Sequence, residues 1–176
     1  EEFEYAYRLD GPYDEKKGLR FDKTKILLDP YARAVTGQSQ WGCKNNPQHS
    51  YRARVVQNNF DWGLERSEPI PMEDLIIYEL HVRGFTKSPS SGVSCPGTFK
   101  GLEEKIPYLK KLGINAVELM PVFEFDEMRD ARLIDDNELL DYWGYNPVCF
   151  FAPNTSYSSS IEYNREGMEL KRLIKA

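Results

Sequence analysis

Cysteine and histidine are scarce in this chain, and their scarcity removes several chemistries. Its 176 residues hold three cysteines, Cys43, Cys95 and Cys149, and two histidines, His49 and His81. No two cysteines stand in CxxC spacing and their number is odd, so no zinc site is expected and reduced thiols in a cytosolic protein are the simplest reading. A surplus of positive charge is also missing: 23 Lys and Arg stand against 28 Asp and Glu, a net charge of -5. Neutralising phosphates needs a basic face, which argues against nucleic acid as the main partner; an uncharged polymer is compatible with this balance. No apolar run approaches the ~18 residues of a membrane helix, and the start carries no signal-peptide pattern. The chain opens at Glu1 rather than Met and closes inside a helical pattern, so an internal piece or a processed product is the expectation. No internal repeat is present.

What the chain does have is apolar and aromatic content, at 40% and 13% of residues. That suffices for a core, in one ordinary domain or parts of two. Residues 3–9 alternate apolar and polar side chains, the pattern of a half-buried strand, and Gly11 with Pro12 ends it. From residue 13 to about 71 glycine and proline interrupt every long element (Gly18, Pro30, Gly37, Gly42, Pro47), although residues 51–56 read as a short strand. The rest is more regular. Residues 75–82 form an apolar, β-rich run of the kind buried on both faces of a sheet. Phe99, Leu102, Ile106, Leu109 and Leu112 then recur at helical spacing, with Thr98 as N-cap and Gly113 as C-cap. Pro107 should kink that helix or mark a fresh start. Residues 116–122 give a second buried strand, so the spacing predicts a parallel βαβ unit. A long loop over residues 123–160 and a helix over 164–176 follow.

Within that loop lies the densest aromatic stretch, DYWGYNPVCFFAP at residues 141–153. An aromatic cluster by itself is usually core. This one sits behind a strand–helix–strand unit, where an α/β barrel carries its active-site loops. Ring faces in such a loop can stack on the flat C–H faces of sugars, which makes the stretch a candidate sugar platform.

Four segments together carry a family resemblance. They are YAYRLDGP at residues 5–12, GLRF with LLDPYA at 18–21 and 27–32, IYELHVRGFT at 77–86, and VELMPV with WGYNP at 117–122 and 143–147. In that order the chain resembles the alpha-amylase superfamily of glycoside hydrolases (family 13), and within it the isoamylase or glycogen-debranching subgroup. The resemblance implies an α/β fold, an incomplete (β/α)8 TIM barrel holding the first two βα units, preceded by the end of an N-terminal β-sandwich. Residues 1–12 would be the last strand of that carbohydrate-binding-like sandwich, 13–70 a linker, and 71–176 the truncated start of the barrel. The implied activity is retaining cleavage of α-1,6 branches in glycogen or starch-like glucans by a cytoplasmic enzyme. The family's nucleophile, acid/base and second Asp lie on later strands, so no catalytic residue is expected in this chain. Pullulanase, branching enzyme and a non-catalytic carbohydrate-binding scaffold stay open as alternatives. A downstream Asp-x-x-x-Asn-His motif would separate enzyme from scaffold.

Through the resemblance, Tyr145 is the tyrosine that stacks on the glucose before the scissile bond, on a loop shaped by Gly144 and Pro147. Trp143 is expected to pack the loop base, and Asp141 to bond sugar hydroxyls or to cap the loop. These three are the candidate substrate-binding residues. Glu79 and Glu118, in the two strands, are read as structural carboxylates hydrogen-bonded near Arg83 or His81, and His81 as a satisfied barrel histidine. The acidic run Glu124, Asp126, Glu127, Asp130, Asp135 and Asp136 reads as a solvated loop. Some debranching enzymes hold calcium near here. EF-hand spacing is absent, and no metal ligand or cofactor is assigned.

Overall fold

The computed structural model describes residues 2–36, 40–43, 51–57, 59–63 and 68–176. Gly37, Pro47 and His49 lie outside the described residues. At the N-terminus the strands are short, because Gly and Pro recur too often to let any run on. They are β1 (Glu4–Tyr5), β2 (Tyr13–Asp14), β3 (Leu19–Arg20), β4 (Val35–Thr36) and β5 (Arg52–Arg54). β5 is the centre of an antiparallel sheet, with Ala53 opposite both Tyr5 of β1 and Val35 of β4. The strand expected over residues 3–9 is thus only two residues of ladder plus an isolated bridge from Tyr7 to Leu27. The segment expected to be irregular supplies the rest of that sheet.

β6 (Ile77–Leu80) and β7 (Ala116–Leu119) are parallel and in register from Ile77 opposite Ala116 to Leu80 opposite Leu119. Between them run α1 (Val82–Thr86), α2 (Phe99–Glu103) and α3 (Ile106–Leu112). The Thr98 hydroxyl accepts from Gly101 N–H at 3.1 Å and opens α2. Pro107 sits in the first turn of α3, where its missing N–H is harmless, so it marks a fresh start. Gly113, at φ 90°, closes α3 in the left-handed conformation. Leu80, Val82, Phe99, Leu102, Leu109, Phe125 and Tyr157 form the larger core.

Two expectations are corrected here. The strands are not buried on both faces: the core packs on the face of Tyr78, Leu80 and Leu119, and Ile77, which points the other way, stays 54% exposed. Glu79 and Glu118, opposite each other in the register, are exposed rather than buried, and so are not enclosed structural carboxylates. Residues 123–160, too long to be a bare connector, carry strands of their own. They hold β8 (Phe123–Phe125), β9 (Arg132–Ile134), β10 (Asn137–Leu139) and β11 (Pro147–Pro153). β9 and β10 form a hairpin turned by Asp135 and Asp136, both at positive φ (49° and 62°), a conformation that Asp tolerates better than most residues. β8 and β11 pair antiparallel around that hairpin with an irregular register.

α4 (Arg165–Lys175) packs on α2 and β11. Its inward side buries two glutamates. Glu166 meets Arg54 of β5 at 3.3 Å, and Glu169 accepts from Ser159 N–H and from Arg165 Nε, each at 3.0 Å. A second core of Ala32, Val35, Ala53, Cys149 and Ala152 fastens the N-terminal sheet to β11. Cys149 is the buried thiol of three free ones; its Sγ lies 3.2 Å from the Ala32 carbonyl.

Candidate functional site

Residues 141–146 join β10 to β11 and form the candidate platform. Asp141 N–H donates to the Glu127 carbonyl at 2.9 Å, and its carboxylate accepts from Gly144 N–H at 3.3 Å. Gly144 has φ +80°, and a Cβ there would lie 2.6 Å from the Phe125 ring. Both the dihedral and the space demand glycine. With the backbone held this way, Trp143 and Tyr145 point outward, 62% and 66% exposed, their rings 6.5 Å apart and crossed at 77°. Asn146 is braced by Asp130 and Arg129, at 3.3 and 3.4 Å.

These side chains line an open groove of about 830 Å3, with Trp41, Arg132 and Glu138 on its other walls. The structure therefore brings Asp141, Trp143 and Tyr145 together. Trp143 does not pack the loop base as expected: it is a second outward ring. Asp141 does cap the loop and also faces the groove. Another cavity, about 680 Å3, lies between the N-terminal sheet and α4, lined by residues such as Val55, Trp62, Phe151 and Met168. It is mainly apolar. The groove at 141–146 offers both ring faces and hydroxyl-bonding groups, the combination that sugar recognition needs.

Beneath the platform is an aromatic cage that the sequence did not announce. Tyr142 stacks on His81, centroids 4.3 Å apart and planes within 14°. Trp41 stacks on Tyr157 at 6.0 Å and meets Tyr142 and Phe125 edge-on. The Arg83 guanidinium lies 4.6 Å from the Trp41 ring. A Cβ on Gly84 would come within 2.6 Å of the Tyr142 hydroxyl, so the stacked approach needs that glycine. Trp41 arrives from the segment read as a linker. Nothing local set Trp41 apart, since a second Trp-Gly pair, Trp62-Gly63, stands in the same segment.

The acidic run divides sharply, which corrects the solvated-loop expectation. Glu124 and Glu127 are fully buried. Glu124 accepts from Thr155 N–H at 2.6 Å and from its hydroxyl at 3.2 Å. Burial holds its carboxyl well above the usual range, against those hydrogen bonds. Glu127 accepts from the Ser156 hydroxyl at 2.8 Å, and burial pushes it up to about 7. Burial likewise lowers the pKa of His81; the Tyr142 carbonyl opposes this and Arg83 adds to it. Among the described residues, no three His, Cys, Asp or Glu side chains stand together as a metal site would need. No helix among them is long and apolar enough to cross a membrane.

No family model matches the chain. Known proteins do. It is 42% identical, over 97% of its length, to isoamylase 3, chloroplastic, of Oryza sativa subsp. japonica, and covers 23% of that protein. It is 36% identical over 98% of its length to the glycogen debranching enzyme of Yersinia enterocolitica, covering 28% of it. By sequence, the chain is similar to one stretch of isoamylases and glycogen debranching enzymes. Among solved structures, the chain is similar to pullulanase type I from Bacillus subtilis complexed with maltose, with a TM-score of 0.65 and 27% identity over 88% of the chain and 22% of the pullulanase. The chain thus spans about a quarter of the length of the relatives it matches. The likeness supports an alpha-amylase-type fold.

Proposed function

We propose that this chain is the part of an α-1,6-glucan debranching hydrolase that opens its catalytic (β/α)8 barrel, and that its groove at residues 141–146 holds a glucose unit of glycogen or a starch-like glucan. The observation that carries this reading is the 42% identity, along 97% of the chain, to a protein named isoamylase. The parallel β6–β7 pair with its helical crossover supports it, being the repeating unit of such a barrel. The outward rings of Trp143 and Tyr145 suit an uncharged polymer with stacking faces. In this reading cleavage is retaining, with two carboxyl groups roughly 5–5.5 Å apart that come from other barrel strands than β6 and β7. In this reading the enzyme works in the cytoplasm, where the three free thiols persist.

The test is to express the complete reading frame and these 176 residues separately, and to assay reducing ends released from glycogen. The complete frame should carry an Asp-x-x-x-Asn-His motif beyond the last residue here and should debranch. The 176-residue chain should not. Turnover by the chain alone, or a complete frame lacking the motif and inactive, would overturn the reading.

A further inference from the structure

His81 makes hydrogen bonds on both ring nitrogens, and their directions settle its tautomer. Nδ1 faces the Gly84 N–H at 3.0 Å. That group can only donate, so Nδ1 is the unprotonated acceptor and caps α1. Nε2 must then carry the hydrogen, and it points at the Tyr142 carbonyl, 2.7 Å away, with the Tyr157 hydroxyl at 3.1 Å. A neutral histidine thus joins the end of β6 to the loop that follows β10, a link between residues 61 apart in sequence. Tyr142 is the residue directly before Trp143. Its carbonyl fixes the peptide plane from which the outward rings depart, and its own ring is clamped on the imidazole.

We propose that His81 is a positioning residue for the aromatic platform: through Nε2–H it holds the Tyr142 carbonyl and so sets the direction of Trp143 and Tyr145. This rests on the proposed role of the platform only where sugar binding is concerned; the positioning itself stands on loop geometry. The groups facing His81 are Arg83 from its own helix, Tyr142 from the loop, Tyr157 from the turn after β11 and the Trp41 ring. Glu127 lies behind, acting on Arg83 and Tyr157. Protonation would place a new N–H on Nδ1 against the Gly84 N–H, two donors face to face. The imidazolium would have to turn, and the Tyr142 carbonyl would lose its partner.

The variant that isolates this link is His81→Asn. Asparagine is a good N-cap and its carbonyl can still accept from Gly84 N–H, but it is too short to reach Tyr142. Amide hydrogen exchange on the labelled chain should speed up roughly tenfold at residues 141–146, about one hydrogen bond's worth. Exchange in α2 and α3 should stay as it was. In the wild type the same loop should loosen as pH falls below the ordinary histidine range, and in His81→Asn that pH step should vanish. Unchanged loop exchange in the variant, or a pH step that survives it, would overturn the proposal. Titration with maltotriose keeps the two readings apart. Weaker binding by His81→Asn supports both. A wild type that ignores maltotriose while the loop still responds to His81 sinks the platform's role and leaves the positioning intact.

Discussion

At the scale of single residues, Tyr145 and Gly144 make the platform testable from two sides. Tyr145 is 66% exposed and meets Trp143 edge-on, so its ring contributes little to folding. Tyr145→Ala should leave the thermal melt within a degree or so while weakening maltotriose binding by ~1–3 kcal/mol, with base stacking on aromatic rings as the guide. Tyr145→Phe should be mild, since the face remains. An alanine variant that unfolds the chain while survivors bind normally would make Tyr145 a core residue. Gly144→Ala acts the other way. It meets both an unfavourable φ and the buried Phe125 ring, so it should destabilise by roughly 1–3 kcal/mol and disturb the loop, as equilibrium urea unfolding would report. The turn at Gly144 and the exposed ring beside it were readable in the sequence because a turn glycine and neighbouring aromatics are local signals. Trp143 was misjudged because the direction of a ring depends on the backbone beneath it. That backbone is set by Phe125 and His81, far off in the chain.

At the scale of elements, what was legible had local causes. Thr98, Pro107 and Gly113 punctuate α2 and α3 as their chemistry dictates, and the apolar runs of β6 and β7 announce themselves. The pairing of β8 with β11 was hidden, since a whole hairpin stands between them and neither strand alternates cleanly. The burial of Glu124 and Glu127 was hidden for another reason: acids in sequence read as solvated, and only Thr155 and Ser156, about 30 residues away, make burial tolerable. That burial has a pH signature. Glu127 has a folded-state pKa of about 7, above the ordinary 4.5. A raised acid stabilises the fold in its protonated form. Its contribution is full below about 4.5 and is lost as pH rises through about 7. Glu124 and Glu166 shift in the same direction. His81 works oppositely: with a lowered pKa it contributes above 6.5, and that contribution is lost as pH falls toward its folded value. Glu127→Gln should therefore raise stability near neutrality and above by up to roughly 3 kcal/mol and flatten the slope between. Urea titrations at about pH 5 and about pH 8 would check it; equal changes at both pH values would show that the carboxyl is not what titrates.

At the scale of the molecule, the two cores explain both how the chain holds together and where it is unfinished. The smaller core and the Arg54–Glu166 pair tie the N-terminal sheet to β11 and α4, so residues near both ends share one packing unit. The larger core covers only the helical side of the β6–β7 pair. On the other side Ile77 is exposed beside Ala116, and Glu79 stands beside Glu118. Two parallel strands with open edges and an open apolar face are not a self-sufficient sheet, since parallel sheets are covered on both faces. The chain should therefore bind a hydrophobic dye such as ANS in its folded state and associate at high concentration. Ile77→Lys would place a charge on that face next to Glu79, and it should reduce dye binding and association without lowering the urea midpoint, because it removes no packing partner. Phe99→Ala, which empties the larger core, should instead cost about 3–5 kcal/mol and increase dye binding. If Ile77→Lys were as damaging as Phe99→Ala, the face would already be covered within this chain, and the incomplete barrel proposed for it would have to be abandoned.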